Sequence, residues 1–321
     1  MVMNDFNPPP YLRNGHVQSL LASAGPRKFI ARRLAKKVLT TAEEHIFTTS
    51  EGSKLLSYYT QNPNQTRGLV TLIHGWEGSS SSSYILSAAA HLYECGFSIL
   101  RLNMRDHGPS HHLNRELFHS CRLDEVGESV AMAGELFGGG GKCFLAGFSL
   151  GGNFALRIAA SEWGEGLAHV VAVSPVVDPN RAMKSMNEGP VIYSAYFVHK
   201  WKRSLRKKAS LYPDLNLEGG LSGRTLDELN AYFAPQHTPF PDAPTYFNAY
   251  AVTGSALSKL RTGCTIIMSE DDPVLPTDDL ERMDKNEKIQ IIRTRHGGHC
   301  GFISSIKLNS WVDERLEELF S

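Results

Sequence analysis

The most informative part of the sequence is Cys143-Phe144-Leu145-Ala146-Gly147-Phe148-Ser149-Leu150-Gly151-Gly152. Its first four residues form an apolar run that predicts a strand, and residues 150–160 carry a helical pattern. Between them, residues 147–151 match Gly-x-Ser-x-Gly, in which the serine occupies a sharp turn between a strand and a helix. The glycines leave room for close chain approach, and the start of the helix directs partial positive charge at the serine. We interpret Ser149 as a nucleophile, with a plain strand-to-helix turn as the alternative.

Strands and helices alternate on both sides of this turn. Short apolar runs at 68–73, 97–102, 169–174, 264–268 and 289–292 predict strands, and residues 84–93, 123–137 and 308–320 carry helical patterns. Strands separated by helices pair in parallel through right-handed crossovers. We therefore predict an α/β fold with a mostly parallel, doubly wound sheet. Residues 44–60 resemble two strands joined by Glu51-Gly52, which predicts an antiparallel hairpin at the N-terminal edge.

The alternation stops between Val176 and Arg261. This stretch is rich in Tyr, Phe, Lys, Pro and Asn and lacks runs typical of strands. We predict a helical cap insertion over 176–261, set into a core formed by 41–175 and 262–321. Residues 1–40 precede the alternation and are expected to wrap around the core.

A serine hydroxyl needs a base to remove its proton, and that base needs an acid to orient it. In this type of fold the chain order is serine, acid, histidine. His299 follows the last predicted strand within a glycine-rich loop, and His296 is its rival, interpreted as structural. Asp272, directly before a proline in the turn after residues 264–268, is the favoured acid, with Asp271 as the alternative.

Acyl transfer also needs backbone N–H donors for the oxyanion that develops on the carbonyl oxygen. We expect one donor at Leu150, directly after the nucleophile. The other is expected at Trp76, in the loop that follows the strand predicted over 68–73. His74 in the same loop is interpreted as a structural residue that holds the loop through hydrogen bonds.

Three further patterns have simpler explanations. His119 and Asp124 fit the His-x4-Asp spacing of some acyltransferases, but Asp124 falls where a helix begins and suits the helix dipole. A histidine-rich loop could ligate a metal, yet it lacks a second ligand set and is interpreted as a polar loop near the pocket; its residues are Asp106, His107, His111 and His112. The basic stretch 200–208 is interpreted as a solvated face of the cap, with weak contact to an anionic membrane surface as the competing hypothesis.

The bulk composition narrows the class of protein. Lys plus Arg and Asp plus Glu both total 33, so net charge gives no argument for nucleic-acid binding. The five cysteines include no CxxC pair and are expected to be reduced thiols. The N-terminus lacks the pattern of a signal peptide, and no apolar run approaches the roughly 20 residues of a membrane span. We expect a cytoplasmic protein of undetermined oligomeric state.

With these residues placed, the chain resembles the α/β-hydrolase superfamily, and within it the YheT-like branch of abhydrolase-domain proteins. Three stretches carry the closer resemblance: Pro9-Pro10-Tyr11-Leu12-Arg13-Asn14-Gly15-His16-Val17-Gln18, Asn103-Met104-Arg105-Asp106-His107-Gly108, and Asp271-Asp272-Pro273 with residues 296–302.

The resemblance implies hydrolysis of carboxylic esters, with lipids or medium-chain esters as substrates, and neither an organic cofactor nor a metal. It assigns the triad roles to Ser149, Asp272 and His299. An acyltransferase or thioesterase with the same triad, and a non-catalytic ligand-binding protein on this scaffold, are the alternatives.

Overall fold

The computed structural model describes residues 2–3, 6–23, 25–64 and 67–321. Its strands are β1 (Val2–Met3), β2 (Glu43–Thr48), β3 (Lys54–Thr60), β4 (Leu69–Ile73), β5 (Ser98–Leu102), β6 (Cys143–Phe148), β7 (His169–Val173), β8 (Cys264–Ser269) and β9 (Ile289–Thr294). Its helices are α1 (Gly15–Ser23), α2 (Pro26–Leu34), α3 (Lys36–Thr40), α4 (Ser83–Glu94), α5 (Leu123–Phe137), α6 (Leu150–Ala159), α7 (Pro179–Glu188), α8 (Val191–Leu211), α9 (Glu218–Ser222), α10 (Leu226–His237), α11 (Ala243–Asn248) and α12 (Trp311–Leu319).

The described strands form one sheet in the order β1-β9-β8-β7-β6-β4-β5-β3-β2. Strands β4 to β9 pair in parallel with one another, whereas β3 runs antiparallel to both β2 and β5. The predicted fold class, with its antiparallel N-terminal edge, is therefore confirmed. The short strand β1, which pairs in parallel with β9, has no counterpart in the sequence analysis.

The central strands are buried on both faces because helices cover each side of the sheet. In β4, Leu69 and Ile73 belong to one apolar cluster, and Val70 and Leu72 belong to the cluster on the opposite face. This division follows the two-residue period of a strand. It explains why the sequence shows continuous apolar runs here instead of alternation.

The N-terminal segment contributes three helices to one face of the sheet. Helix α2 packs against α4, and Arg27 on α2 is buried at 1% exposure. Residues 1, 4, 5 and 24 of the predicted wrapping segment lie outside the described residues. The terminal helix begins at Trp311, later than predicted, because residues 303–310 form an irregular turn closed by a bridge between Ile303 and Ser310.

The chain between β7 and β8 contains the five helices α7 to α11, so its helical character agrees with the prediction. The limits 176–261 stay a prediction. One part of the prediction for residues 200–208 is wrong: Lys208 is fully buried and does not belong to a solvated face. Among the described helices, none combines the length and apolar character needed to cross a lipid bilayer.

Candidate active site

Ser149 lies on a strained turn between β6 and α6. Its φ of 54° and ψ of −118° are costly for a residue other than glycine. Its N–H donates to the Val173 carbonyl at 2.9 Å. A Cβ on Gly147 would lie 2.0 Å from the Gly151 oxygen, and a Cβ on Gly151 would lie 2.4 Å from the Ile73 oxygen. Both positions therefore require glycine for steric reasons.

Two hydrogen bonds join Ser149, His299 and Asp272. The Nε2 atom of His299 lies 2.9 Å from the Ser149 Oγ, and its Nδ1 lies 2.9 Å from the Asp272 Oδ2. The other carboxylate oxygen of Asp272 accepts the N–H groups of Val274 and Leu275 at 2.8 and 3.0 Å. The acid side chain is fully buried, so both of its oxygens are held in place. The three side chains are arranged for proton transfer from the serine to the histidine.

The two alternative residues lie beside this chain of hydrogen bonds but outside it. Asp271 accepts the Gly298 N–H at 2.8 Å and lies 3.6 Å from the His296 Nδ1. Asp271 thus contacts the backbone of the histidine loop, whereas Asp272 contacts the imidazole of His299. Consecutive side chains in this turn point to different partners.

Helix α1 supports the His299 loop, a role that the sequence analysis missed. The Ser19 hydroxyl accepts the His299 N–H at 2.8 Å and donates to the Gly15 carbonyl at 2.7 Å. Gln18 is buried, and its amide bonds both the N–H and the carbonyl of Ile303. The packing is close, since a Cβ on Gly15 would lie 2.0 Å from the Asp271 oxygen. The N-terminal motif that carried the family resemblance was the available signal.

The loop after β4 lies against the serine. A Cβ on Gly75 would lie 3.0 Å from the Ser149 Cβ. The Gly75 N–H donates to the Tyr84 hydroxyl at 3.0 Å, a contact that the sequence did not indicate. Leu150 is the first residue of α6, so its N–H has no acceptor within the helix. Trp76 directly follows Gly75, which places its backbone in the same turn.

His74 holds this loop, as the sequence analysis expected. Its Nδ1 lies 2.7 Å from the Gly75 carbonyl, and its Nε2 accepts the Met104 N–H at 3.2 Å. Burial, with nearby His107, lowers the pKa of His74 well below its ordinary value. The imidazole is therefore neutral and fixed in one tautomer.

The electrostatics of His299 differ from those of His74. Burial alone would lower the pKa of His299, but the Asp272 carboxylate and the neighbouring Cys300 outweigh it. The pKa of His299 therefore lies well above its ordinary value. A carboxylate at 2.9 Å stabilises the imidazolium that forms when the histidine accepts a proton.

Two cavities meet at Ser149, and both include Trp76 and Phe197 in their walls. The first, which we call the polar vestibule, has a volume of about 320 Å³. Its charged and polar lining comprises Ser23, Lys28, Glu77, Ser79, Ser81, Ser82, Ser83, Tyr84, Asp106, His107, His111, Ser149, Tyr196, Lys200, Arg203, Ser204, Lys207 and His299.

The second cavity, which we call the apolar pocket, has a volume of about 80 Å³. It is lined mainly by Leu150, Val176, Pro179, Ala182, Met183, Met186, Trp201, Phe233, Tyr246, Phe247, Tyr250, Val274 and Leu275. Its polar members are already paired: the Asn230 amide donates to the Leu226 carbonyl, and the Ser120 N–H donates to the Tyr246 hydroxyl. An aliphatic chain would therefore leave these two hydrogen bonds intact.

The loop after β5 joins the vestibule to helix α8. The Lys208 ammonium contacts the Asp106 carboxylate at 2.7 Å and the Asn114 carbonyl at 2.6 Å. The other Asp106 oxygen accepts the Phe118 N–H at 2.9 Å. Asp106 is therefore the counter-ion of a buried lysine, which agrees with a polar loop instead of a metal site.

Two other predicted groups lie away from Ser149. Neither His119 nor Asp124 lines either cavity at Ser149, and Asp124 falls in the first turn of α5. Among the described residues, one group of three could supply metal ligands: His91, Cys95 and Glu317. Glu317 already pairs with His91 and Arg67, and burial raises the pKa of the Cys95 thiol to about 11. These contacts describe an ion-pair network better than a metal site.

A serine elbow, with an acid and a histidine after successive strands at the same edge of a parallel sheet, defines the α/β-hydrolase class. The family model described as "Alpha/beta hydrolase family" matches residues 72–307. The chain therefore belongs to the α/β-hydrolase family.

Individual relatives agree with this assignment. The chain is 25% identical to the putative esterase YheT of Escherichia coli over 98% of this chain and 92% of that protein, which confirms the resemblance to the YheT-like branch. It is 23% identical to the yeast (Saccharomyces cerevisiae) medium-chain fatty acid ethyl ester synthase/esterase 2 over 79% of this chain and 62% of that protein. The solved structure of the Pyrococcus furiosus esterase Pf2001 shares the fold, with a TM-score of 0.57 and 14% identity over 87% of this chain and 91% of that chain.

Proposed function

We propose that this protein hydrolyses carboxylic esters through an acyl-enzyme formed on Ser149. The observation that carries the proposal is the continuous hydrogen-bonded chain from the Ser149 hydroxyl through His299 to Asp272, at a point where two cavities meet. Esterases among the relatives and structural neighbours support the same reaction class.

In the proposed mechanism the Ser149 Oγ attacks the ester carbonyl while the His299 Nε2 takes its proton. Asp272 keeps the imidazole in the tautomer that accepts at Nε2 and stabilises the imidazolium. The N–H groups of Leu150 and Trp76 are proposed to hold the oxyanion. His299 then passes the proton to the departing alcohol, and a water activated by His299 releases the acid.

The two cavities suggest how the substrate lies. We place the acyl chain in the apolar pocket, because burial of aliphatic carbon there contributes about 0.8 kcal/mol per methylene. The alcohol part would then lie in the polar vestibule. Short- and medium-chain acyl groups are the proposed substrates, in agreement with the printed name of the yeast relative.

The test is hydrolysis of p-nitrophenyl esters, from acetate to palmitate, by the wild type and by Ser149→Ala. We expect the substitution to lower kcat by about 10⁴-fold or more. Ser161→Ala is a matched control, since its hydroxyl bonds the Ile158 carbonyl at the end of α6 and lines neither cavity at Ser149. Labelling by a fluorophosphonate, which needs an activated serine, should follow the same pattern. Wild-type labelling without turnover of any ester would point to a narrower substrate, and the absence of both would favour the ligand-binding alternative.

An acyl-enzyme can also transfer its acyl group to an alcohol, and the yeast relative's name includes both synthase and esterase. We therefore propose alcoholysis as a second activity of the same site. Ethyl ester formed in the presence of ethanol, measured against free acid by gas chromatography, distinguishes the two outcomes. If only acid forms across a range of ethanol concentrations, the site is a hydrolase alone.

The five cysteines are free thiols, which supports the proposal that the protein works in a reducing compartment such as the cytoplasm. Contact of residues 200–208 with a membrane surface stays a prediction.

A further inference from the structure

The polar vestibule carries an excess of positive charge beside Ser149. Lys28 on α2 and Lys200, Arg203 and Lys207 on α8 all line it. In the ranges that the structure describes, none of these four side chains forms a salt bridge with a carboxylate. Grouped cations without counter-ions raise the local concentration of anions.

Three of these cations are close enough to influence one another. Lys200 is half-buried, and burial lowers its pKa. The charge of Glu77 opposes this shift, whereas the charges of Arg203 and Lys28 add to it. Two elements that are distant in the sequence, α2 and α8, therefore bring like charges to one wall of the cavity. This arrangement is unfavourable in the empty site and is relieved when an anion binds between them.

The two carboxylates in the vestibule do not neutralise this charge. Asp106 is already paired with the buried Lys208. Burial raises the pKa of Glu77 to about 7, so Glu77 carries only part of a negative charge near neutral pH. Even when Glu77 is fully ionised, four cations face this one carboxylate, so the vestibule keeps a net positive charge when His299 is neutral and Ser149 can react.

The start of α4 adds backbone donors to the same cavity. The side chain of Ser82 does not cap this helix, and residues 82–84 line the vestibule. Uncapped N–H groups at the start of a twelve-residue helix attract phosphate and carboxylate groups. The serine run 79–83, which leads into α4, therefore has a ligand-binding explanation.

We propose that the polar vestibule is a phosphate subsite and that the preferred substrate is a carboxylic ester whose alcohol part carries a phosphate. The inference rests on the proposed ester hydrolysis and specifies its leaving group. The acyl chain occupies the apolar pocket, and the phosphate lies between Lys200, Arg203 and the start of α4.

The reaction leaves the phosphate unchanged. The Ser149 Oγ bonds to the carbonyl carbon, the bond from that carbon to the alcohol oxygen breaks, and the serine proton passes through His299 to that oxygen. Water then attacks the acyl-enzyme carbonyl, and its proton returns through His299 to the Ser149 Oγ. The products are a carboxylic acid and a phosphorylated alcohol.

A matched pair of substrates tests the subsite: 1-octanoylglycerol and 1-octanoylglycerol 3-phosphate, which differ only in the phosphate. We expect the wild type to favour the phosphate ester by at least about tenfold in kcat/KM at low salt, since charge-assisted hydrogen bonds are strong. The preference should fall as ionic strength rises. Equal kcat/KM values for the two esters would overturn the inference.

Variants that remove positive or negative charge from the vestibule should change the preference for the phosphate ester in opposite directions. Replacement of both cations, Lys200→Met with Arg203→Met, should reduce the preference by about tenfold or more. Glu77→Gln should increase it severalfold, because the substitution removes a negative charge from the same cavity. Lys202→Met is the matched control on α8, because Lys202 does not line the vestibule. Equal effects of the control and the double variant would contradict the subsite.

Two further arms separate the remaining cases. When the octanoyl phosphate ester is preferred as a monomer, an equal preference in micelles identifies a soluble substrate, whereas a larger preference in micelles identifies a lipid headgroup; both support the subsite. If p-nitrophenyl octanoate is hydrolysed without any phosphate preference, the inference alone fails. If no ester is hydrolysed, the proposed function fails. Isothermal titration calorimetry of glycerol 3-phosphate binding to the Ser149→Ala variant then tests the phosphate subsite separately. If Lys200→Met with Arg203→Met, introduced into Ser149→Ala, weakens this binding, the subsite is supported. If the binding is unchanged, or if Ser149→Ala does not bind glycerol 3-phosphate, the inference is overturned.

Discussion

The buried pair formed by Lys208 and Asp106 makes the stability of the protein depend on one side chain of helix α8. Lys208 is 0% and Asp106 5% exposed, and their charged atoms lie 2.7 Å apart. Lys208→Met keeps the aliphatic stem but leaves the Phe118 N–H as the remaining donor to the Asp106 carboxylate among the described residues. Removal of one partner of a buried pair costs about 3 to 5 kcal/mol, because the other charge stays desolvated.

This cost converts into a measurable shift in melting temperature. Unfolding entropy is about 2.1 cal/mol/K per residue, so for 321 residues a loss of about 4 kcal/mol lowers the Tm by about 6 °C. Differential scanning calorimetry or circular dichroism would record it. Arg206→Met, an exposed position on the same helix, should stay within about 0.5 kcal/mol of the wild type.

The pH dependence provides a second check on the same reasoning. Burial raises the pKa of Asp106, and Lys208 opposes that shift. Removal of the Lys208 ammonium therefore lets the pKa of Asp106 rise further. A carboxyl group whose pKa is higher in the folded state binds its proton more tightly when folded, and stability is regained as the pH falls. The Tm deficit of Lys208→Met should therefore be smaller at pH 5 than at pH 8. A deficit below about 1 °C, or one equal at both pH values, would refute the argument.

Three further outcomes are expected at the site. Because the pKa of His299 is raised, kcat/KM should increase with pH as the imidazole loses its proton. Asp272→Asn should move this rise to lower pH and reduce kcat by about 10³- to 10⁴-fold. A pH–rate profile in which the rise does not move would contradict the role of Asp272. Ser19→Ala should lower kcat severalfold with little change in KM, because it removes the acceptor of the backbone N–H of His299. An effect on KM alone, or an equal effect of Ser210→Ala, would show that Ser19 does not position His299. Met183→Trp should fill the apolar pocket and reduce kcat/KM for p-nitrophenyl octanoate far more than for the acetate; equal losses on both esters would place the acyl chain elsewhere.

Features that depend on local chemistry could be predicted from the amino-acid sequence. Around Ser149, consecutive residues form the strand, the Gly-x-Ser-x-Gly turn and the helix. Because only glycine fits at positions 147 and 151, this pattern can be recognised without a structure. The parallel sheet followed from the alternation of apolar runs and helices. The order of serine, acid and histidine limited the remaining partners to a few residues.

Contacts between distant segments could not be predicted from the sequence, because they depend on how the chain folds. The choice between Asp271 and Asp272 depends on which way two adjacent side chains point, and their residue types are identical. The support of the His299 loop by Ser19 joins residues 280 positions apart, and the burial of Lys208 depends on a loop about 100 residues earlier. From the sequence alone, a charged residue is expected to be solvated. Whether its charge is buried and paired depends on which other segments pack around it.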